Sequence, residues 1–108
     1  MTLTLKFAKF DSKLMVCPAC DDEYTHVEEV QIAARGEDEM PNEITVDAVT
    51  GRVETHGNSP APTGTVVHDG RRQRIAVTGH CESGGHNFAI VFTQHKGQTL
   101  LEVVLIDK

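Results

Sequence analysis

Apolar and polar residues alternate along most of this chain, most clearly in its last third. Ile75, Val77 and Gly79 alternate along one segment. Phe88, Ile90 and Phe92 share one face of a second, with Ala89 and Val91 on the other. Leu101, Val103 and Leu105 share a face of a third, with Leu100, Val104 and Ile106 around them. A period of two belongs to a β-strand, whose side chains point alternately to opposite faces. The connections CESGGH (81–86) and QHKGQ (94–98) are short and contain glycine. Together these features predict a three-stranded antiparallel meander.

Upstream the same pattern is shorter and more broken. Leu3, Leu5 and Phe7 read as an edge strand, with Lys6 and Lys9 supplying the charge that discourages edge pairing. Leu14, Met15 and Val16 lead directly into Cys17. THVEEVQIAAR (25–35) admits two readings. Thr25 and Glu28 have capping-box spacing and Gly36 could end a helix, but Val30, Ile32 and Ala34 alternate with more polar or smaller neighbours, which favours a strand. ITVDAVTGRVET (44–55) predicts two strands around Thr50-Gly51, and GEDEMPNE (36–43) and HGNSPAPTG (56–64) predict loops. Thr65–His68 reads as a brief strand before a hairpin turn at Asp69-Gly70. The expectation is a mostly β, antiparallel, single domain spanning residues 1–108.

Composition adds a problem and a candidate solution. There is no Trp, one Tyr and four Phe, so few large side chains are available to fill an interior. Three cysteines, two of them in Cys17-Pro18-Ala19-Cys20, suit a metal site better than a disulfide framework, in which cysteines pair. A C-x-x-C turn lets two thiolates converge on one tetrahedral ion, and Pro18 stiffens it. Cys81 lies where a strand gives way to a Gly-rich turn, which makes a second knuckle from a distant part of the chain. The fourth donor is open on sequence grounds. His86 closes the turn that Cys81 opens, and His26, His80, an acid such as Asp22, or water are the alternatives. One structural zinc ion is the expected cofactor.

The pieces LMVCPACDDEYTH (14–26), ARGED (34–38) and HCESGGHNFAIVFTQHKG (80–97) carry a resemblance. C-P-x-C followed by a distant C-E turn resembles the zinc-ribbon group. More narrowly, the chain resembles small uncharacterised proteins of actinobacteria and their phages, for which no activity is established. The matching pieces cover under half of the chain. The resemblance implies a zinc-ribbon-like, two-knuckle metal site with Cys17, Cys20 and Cys81 as ligands. Gly84 stands where the pattern has a cysteine, which makes His86 the substitute, and Asp21 replaces the usual glycine after the first knuckle. A phage or prophage origin is implied as well.

Charge and motifs then bound the function. Formal net charge is −6, and residues 21–47 hold ten acids against the single base Arg35. That balance opposes nucleic-acid binding, which needs clustered bases; Arg71, Arg72 and Arg74 form the one such cluster and a candidate partner contact. No stretch has the length or apolarity of a membrane span or of a signal-peptide core, which predicts a cytoplasmic protein, in the host cytoplasm if phage-encoded. His26-Val27-Glu28 spells H-x-E but precedes no P-C-x-x-C, so a deaminase is rejected, and no H-E-x-x-H, G-x-S-x-G or phosphate-cradling loop is present. The expected function is therefore non-enzymatic: a zinc-stabilised domain that binds another protein. The alternatives are a nucleic-acid-binding zinc ribbon and a small zinc hydrolase with an open coordination position. Apolar residues on both faces of the meander need cover on both sides, and a second copy of the chain is one source of it.

Overall fold

The computed structural model of the protein describes residues 3–35, 42–57 and 73–106. Arg71, Arg72, the 65–68 segment, Asp69-Gly70 and most of the two expected loops lie outside those residues. The described residues are all β, antiparallel and without helix. The strands are β1 (Lys6–Ala8), β2 (Asp11–Val16), β3 (Thr25–Ala34), β4 (Asn42–Asp47), β5 (Val53–Gly57), β6 (Arg74–Cys81), β7 (Asn87–His95) and β8 (Gln98–Leu105). β1 and β2 form a hairpin of their own, and the other six make one sheet in the order β5-β4-β3-β6-β7-β8. The expected meander is β6-β7-β8, and the ambiguous segment 25–35 is strand β3, paired with β6 and β4 at the centre of the sheet.

The N-terminal strand differs from expectation. Leu3 makes only an isolated bridge to Val103 on the outer edge of β8, and β1 begins three residues later. Alternation over so few residues fixes neither the strand's start nor its partner, and β1 pairs locally with β2 because a tight turn at Lys9-Phe10 joins them.

Turn chemistry explains two of the sheet's hairpins. Between β4 and β5, the Asp47 carboxylate accepts the backbone N–H groups of Val49 (2.8 Å) and Thr50 (3.0 Å). Those bonds hold its pKa below the usual carboxylate range. Between β7 and β8, Lys96 and Gly97 both take positive φ (51° and 78°), the two-residue turn whose twist matches the flanking strands.

Strand register sorts the side chains onto two unlike faces. One carries Gln31, Ala33, Ala76, Thr78, Ala89 and Val91, all buried, and Val104 and Ile106 pack against its alanine and valine cluster. The strand charges Glu29, Glu43, Asp47, Glu54, Arg74 and Glu102 occupy this face too. The opposite face carries the large apolar residues, among them Ile32, Val46, Val77, Ile90 and Phe92, and most of it is only half-buried. At its metal-site end Phe88 and Val103 are buried. Among the described residues no helix is long and apolar enough to cross a membrane.

Gly79 sits on this second face where β3 bulges between Val27 and Glu29. A Cβ there would lie 2.6 Å from the His26 carbonyl oxygen and 3.1 Å from the Phe88 ring. Backbone cannot yield as a side-chain tip can, so Gly79→Ala should cost roughly 2 kcal/mol through overpacking. Urea unfolding of the two proteins checks this, and an unchanged midpoint would contradict the packing described.

Candidate metal centre

Two knuckles build the site. The first follows β2: Cys17 is fully buried, Pro18 is buried and Cys20 is exposed. The Asp21 N–H bonds to the Cys17 carbonyl (2.9 Å), and the Cys17 N–H bonds to the Asp22 carbonyl (2.9 Å). Closing that loop requires a left-handed residue, and Asp21 supplies it at φ 63°. Aspartate tolerates this conformation better than most side chains, which is why the usual glycine can be absent. Its carboxylate meets Lys6 of β1 at 3.2 Å.

The second knuckle is the β6–β7 turn. Cys81 closes β6 with 1% exposure, and its N–H bonds to the His86 carbonyl (3.1 Å). The missing side chain of Gly84 leaves the room that the His86 ring occupies. A Cβ at that position would stand 2.4 Å from His86 Cε1 and 2.6 Å from Nδ1. The residue occupying the expected cysteine position is thus the one that admits the histidine ring.

These knuckles bring Cys17, Cys20, Cys81 and His86 together, with donor atoms all within 4.8 Å of one another. Cys20 Sγ is 3.7 Å from Cys81 Sγ, and Cys81 Sγ is 3.4 Å from His86 Nδ1. A tetrahedral ion with bonds of about 2.3 Å to sulfur and 2.0–2.1 Å to nitrogen sets S–S edges of about 3.8 Å and S–N edges of about 3.6 Å. These two edges match those of a tetrahedron around one ion. Backbone N–H groups complete the surroundings: Ala19 donates to Cys17 Sγ and His86 to Cys81 Sγ, each at 3.4 Å.

Thiol electrostatics point the same way. Burial opposes ionisation of Cys81, but the N–H groups of His86 and Gly84, the His86 ring and the Cys20 thiol bring its pKa down to about 6. The Asp22 backbone favours the Cys20 thiolate, yet desolvation and the neighbouring Cys17 and Cys81 sulfurs raise it to about 11. Packed together without a cation, the thiols cannot all ionise; a divalent ion among them removes that conflict.

Each alternative donor has other work. His26 Nε2 bonds Glu82 (2.6 Å), His80 Nδ1 pairs with Glu28 (3.3 Å), and the two rings stack at 5.1 Å across β3 and β6. Asp22 is no ligand but a staple between the knuckles. Its carboxylate accepts the Tyr24 N–H (3.0 Å) and the Ser83 N–H (2.8 Å), which lower its pKa, and the Glu82 N–H bonds to the Tyr24 carbonyl (3.1 Å). Sequence reasoning missed this role. Its signal was an aspartate placed two residues before Tyr24, the spacing of an Asx turn.

Arg74 lies half-buried in β6 opposite Ala33 and Thr93, so the described part of the basic cluster belongs to the sheet. Comparison with family models, curated proteins and solved structures found no match to this chain.

Gly84→Ala should push the His86 ring out of the donor set and weaken metal binding about 10- to 100-fold, the range typical of altered support around ligands. Competition with a chromophoric chelator measures this. Undiminished affinity would show that the ring does not depend on the space Gly84 leaves.

Proposed function

We propose that this protein is a non-enzymatic domain, stabilised by one structural zinc ion at Cys17, Cys20, Cys81 and His86, whose task is to bind another protein. The observation that carries the reading is the closed donor set, with edges of 3.7 and 3.4 Å, three sulfurs and one ring nitrogen. Structural zinc sites use four protein donors, whereas catalytic ones keep a position for water. Sulfur-rich sites select zinc over magnesium or calcium, and three thiolates with one imidazole are a recurrent zinc set.

Burial supports the structural role. Cys17 and Cys81 are sealed from solvent, so neither sulfur is presented to a substrate. Metal affinity at such a site is folding free energy. A protein-binding task fits a chain of net charge −6. The nucleic-acid alternative draws no support from Arg74, which is part of the sheet.

Cobalt substitution tests the site. The expected spectrum has the intense visible bands of a four-coordinate ion and the sulfur-to-cobalt charge transfer of thiolate ligands. His86→Ala should alter the bands while leaving three sulfurs, and Cys81→Ser should abolish binding and unfold the protein. A folded, metal-free Cys81→Ser variant would overturn the structural role. A five- or six-coordinate spectrum in the parent protein would favour the open, hydrolytic site instead.

A further inference from the structure

The six-stranded sheet places its side chains in an unusual way. Its closed face has a core cluster of Ala33, Ala76, Ala89 and Val91, which is a small amount of apolar surface for a chain of 108 residues. The larger apolar side chains stand on the other face, where the described residues leave them partly in solvent. Ile32, Val46, Val77, Ile90 and Phe92 are half-buried across its middle. Towards its margins Val53 is 58% exposed and Leu101 and Leu105 are each 49% exposed.

Register shows that this face is also uncharged. From β5 to β8 the residues sharing it are apolar or neutral, while the charged strand residues of these registers project to the other side. A face of six strands spaced ~4.8 Å apart and about five residues long has a footprint of about 450 Å². That is the scale of the largest apolar patch on a typical monomer, about 300–600 Å², and such patches are often functional.

We propose that this open face is the contact surface between two copies of the chain, packed sheet on sheet about a twofold axis. Two observations favour a second copy over other occupants. Two such faces together come to about 900 Å², the size of a weak, concentration-dependent pair. Pairing them opposes no carboxylates, although each chain carries −6, because the acids of the paired strands lie on the far faces. A nucleic acid would need cations on this face, and an anionic lipid surface would need a cationic rim; it offers neither. Sheet-on-sheet packing with side chains interdigitating is an ordinary way to bury two such faces.

Light scattering coupled to size exclusion tests this on the full metal-loaded chain, at concentrations from about 1 to 100 µM, which bracket a micromolar dissociation constant. The expected wild-type mass is that of two chains. Val77→Lys at the centre of the face and Leu101→Lys at its margin should each give one-chain particles that keep one metal ion. A lysine enters a twofold interface twice without a partner, so association should weaken about 100-fold or more. Leu101 is already half-exposed, so its substitution leaves the fold intact and decides the matter even where Val77→Lys fails to fold. A monomeric wild type at the highest concentration overturns the proposal. So does a dimer that survives Leu101→Lys, which would be joined elsewhere, for instance through the free edge of β5. Metal content measured on the same fractions separates either result from failure of the zinc site.

Discussion

The convergence of four donors from two knuckles is the constraint on which the rest of this structure depends. Cys20 and Cys81 are 61 residues apart in the chain and 3.7 Å apart in space. Among the described residues the β1–β2 hairpin forms no ladder with the six-stranded sheet beyond the isolated Leu3–Val103 bridge, so its attachment there runs largely through the knuckles. Asp22 to Ser83 and Tyr24 to Glu82 are the hydrogen-bonded ties there. A structural zinc ion contributes about 10–16 kcal/mol of binding free energy. That is as large as the net stability of an ordinary domain, about 5–15 kcal/mol. Among the described residues the buried apolar side chains are few and mostly small, so a metal ion bound at the knuckles would weigh heavily in the stability.

The knuckles also constrain the strands. Cys81 ends β6 and His86 precedes β7, so the same turn that supplies two donors sets the register of the sheet's central hairpin. Thr25 lies opposite Cys81, and this carries the constraint into β3. Several acids of residues 21–47 have structural work in consequence. Asp22 staples the knuckles, Asp47 caps a turn, Glu28 meets His80, and Glu43 is buried. The acidic stretch is therefore not one solvated face.

Much of this was legible in the sequence, and the failures have physical causes. Alternation over Phe88–Phe92 and Leu101–Leu105 gave the strands and their faces correctly, because a period of two is a direct imprint of the pleat. What alternation cannot tell is which face is closed. Ile90 and Phe92 look like core, yet Ala89 and Val91 are the buried pair. Short, smooth side chains allow close cover, whereas the large ones of the other face stay half-buried. Cys17 and Cys20 were legible from their C-x-x-C spacing, and Cys81 from its place where a strand gives way to a Gly-rich turn. His86 was favoured for its place in the turn, but what secures it is the missing Cβ of Gly84, a steric fact visible only in three dimensions. His80 could be set aside from strand parity, whereas His26 required knowing that it lies opposite His80 and bonds Glu82. The staple at Asp22 was hidden because its second partner, Ser83, is 61 residues away.

The most direct measurement is the mass of the protein sprayed from native solution, compared with its mass after acid denaturation. The account predicts that each folded chain carries one zinc ion that is lost when the chain unfolds. A folded chain without metal, purified under reducing conditions and free of chelator, would contradict it.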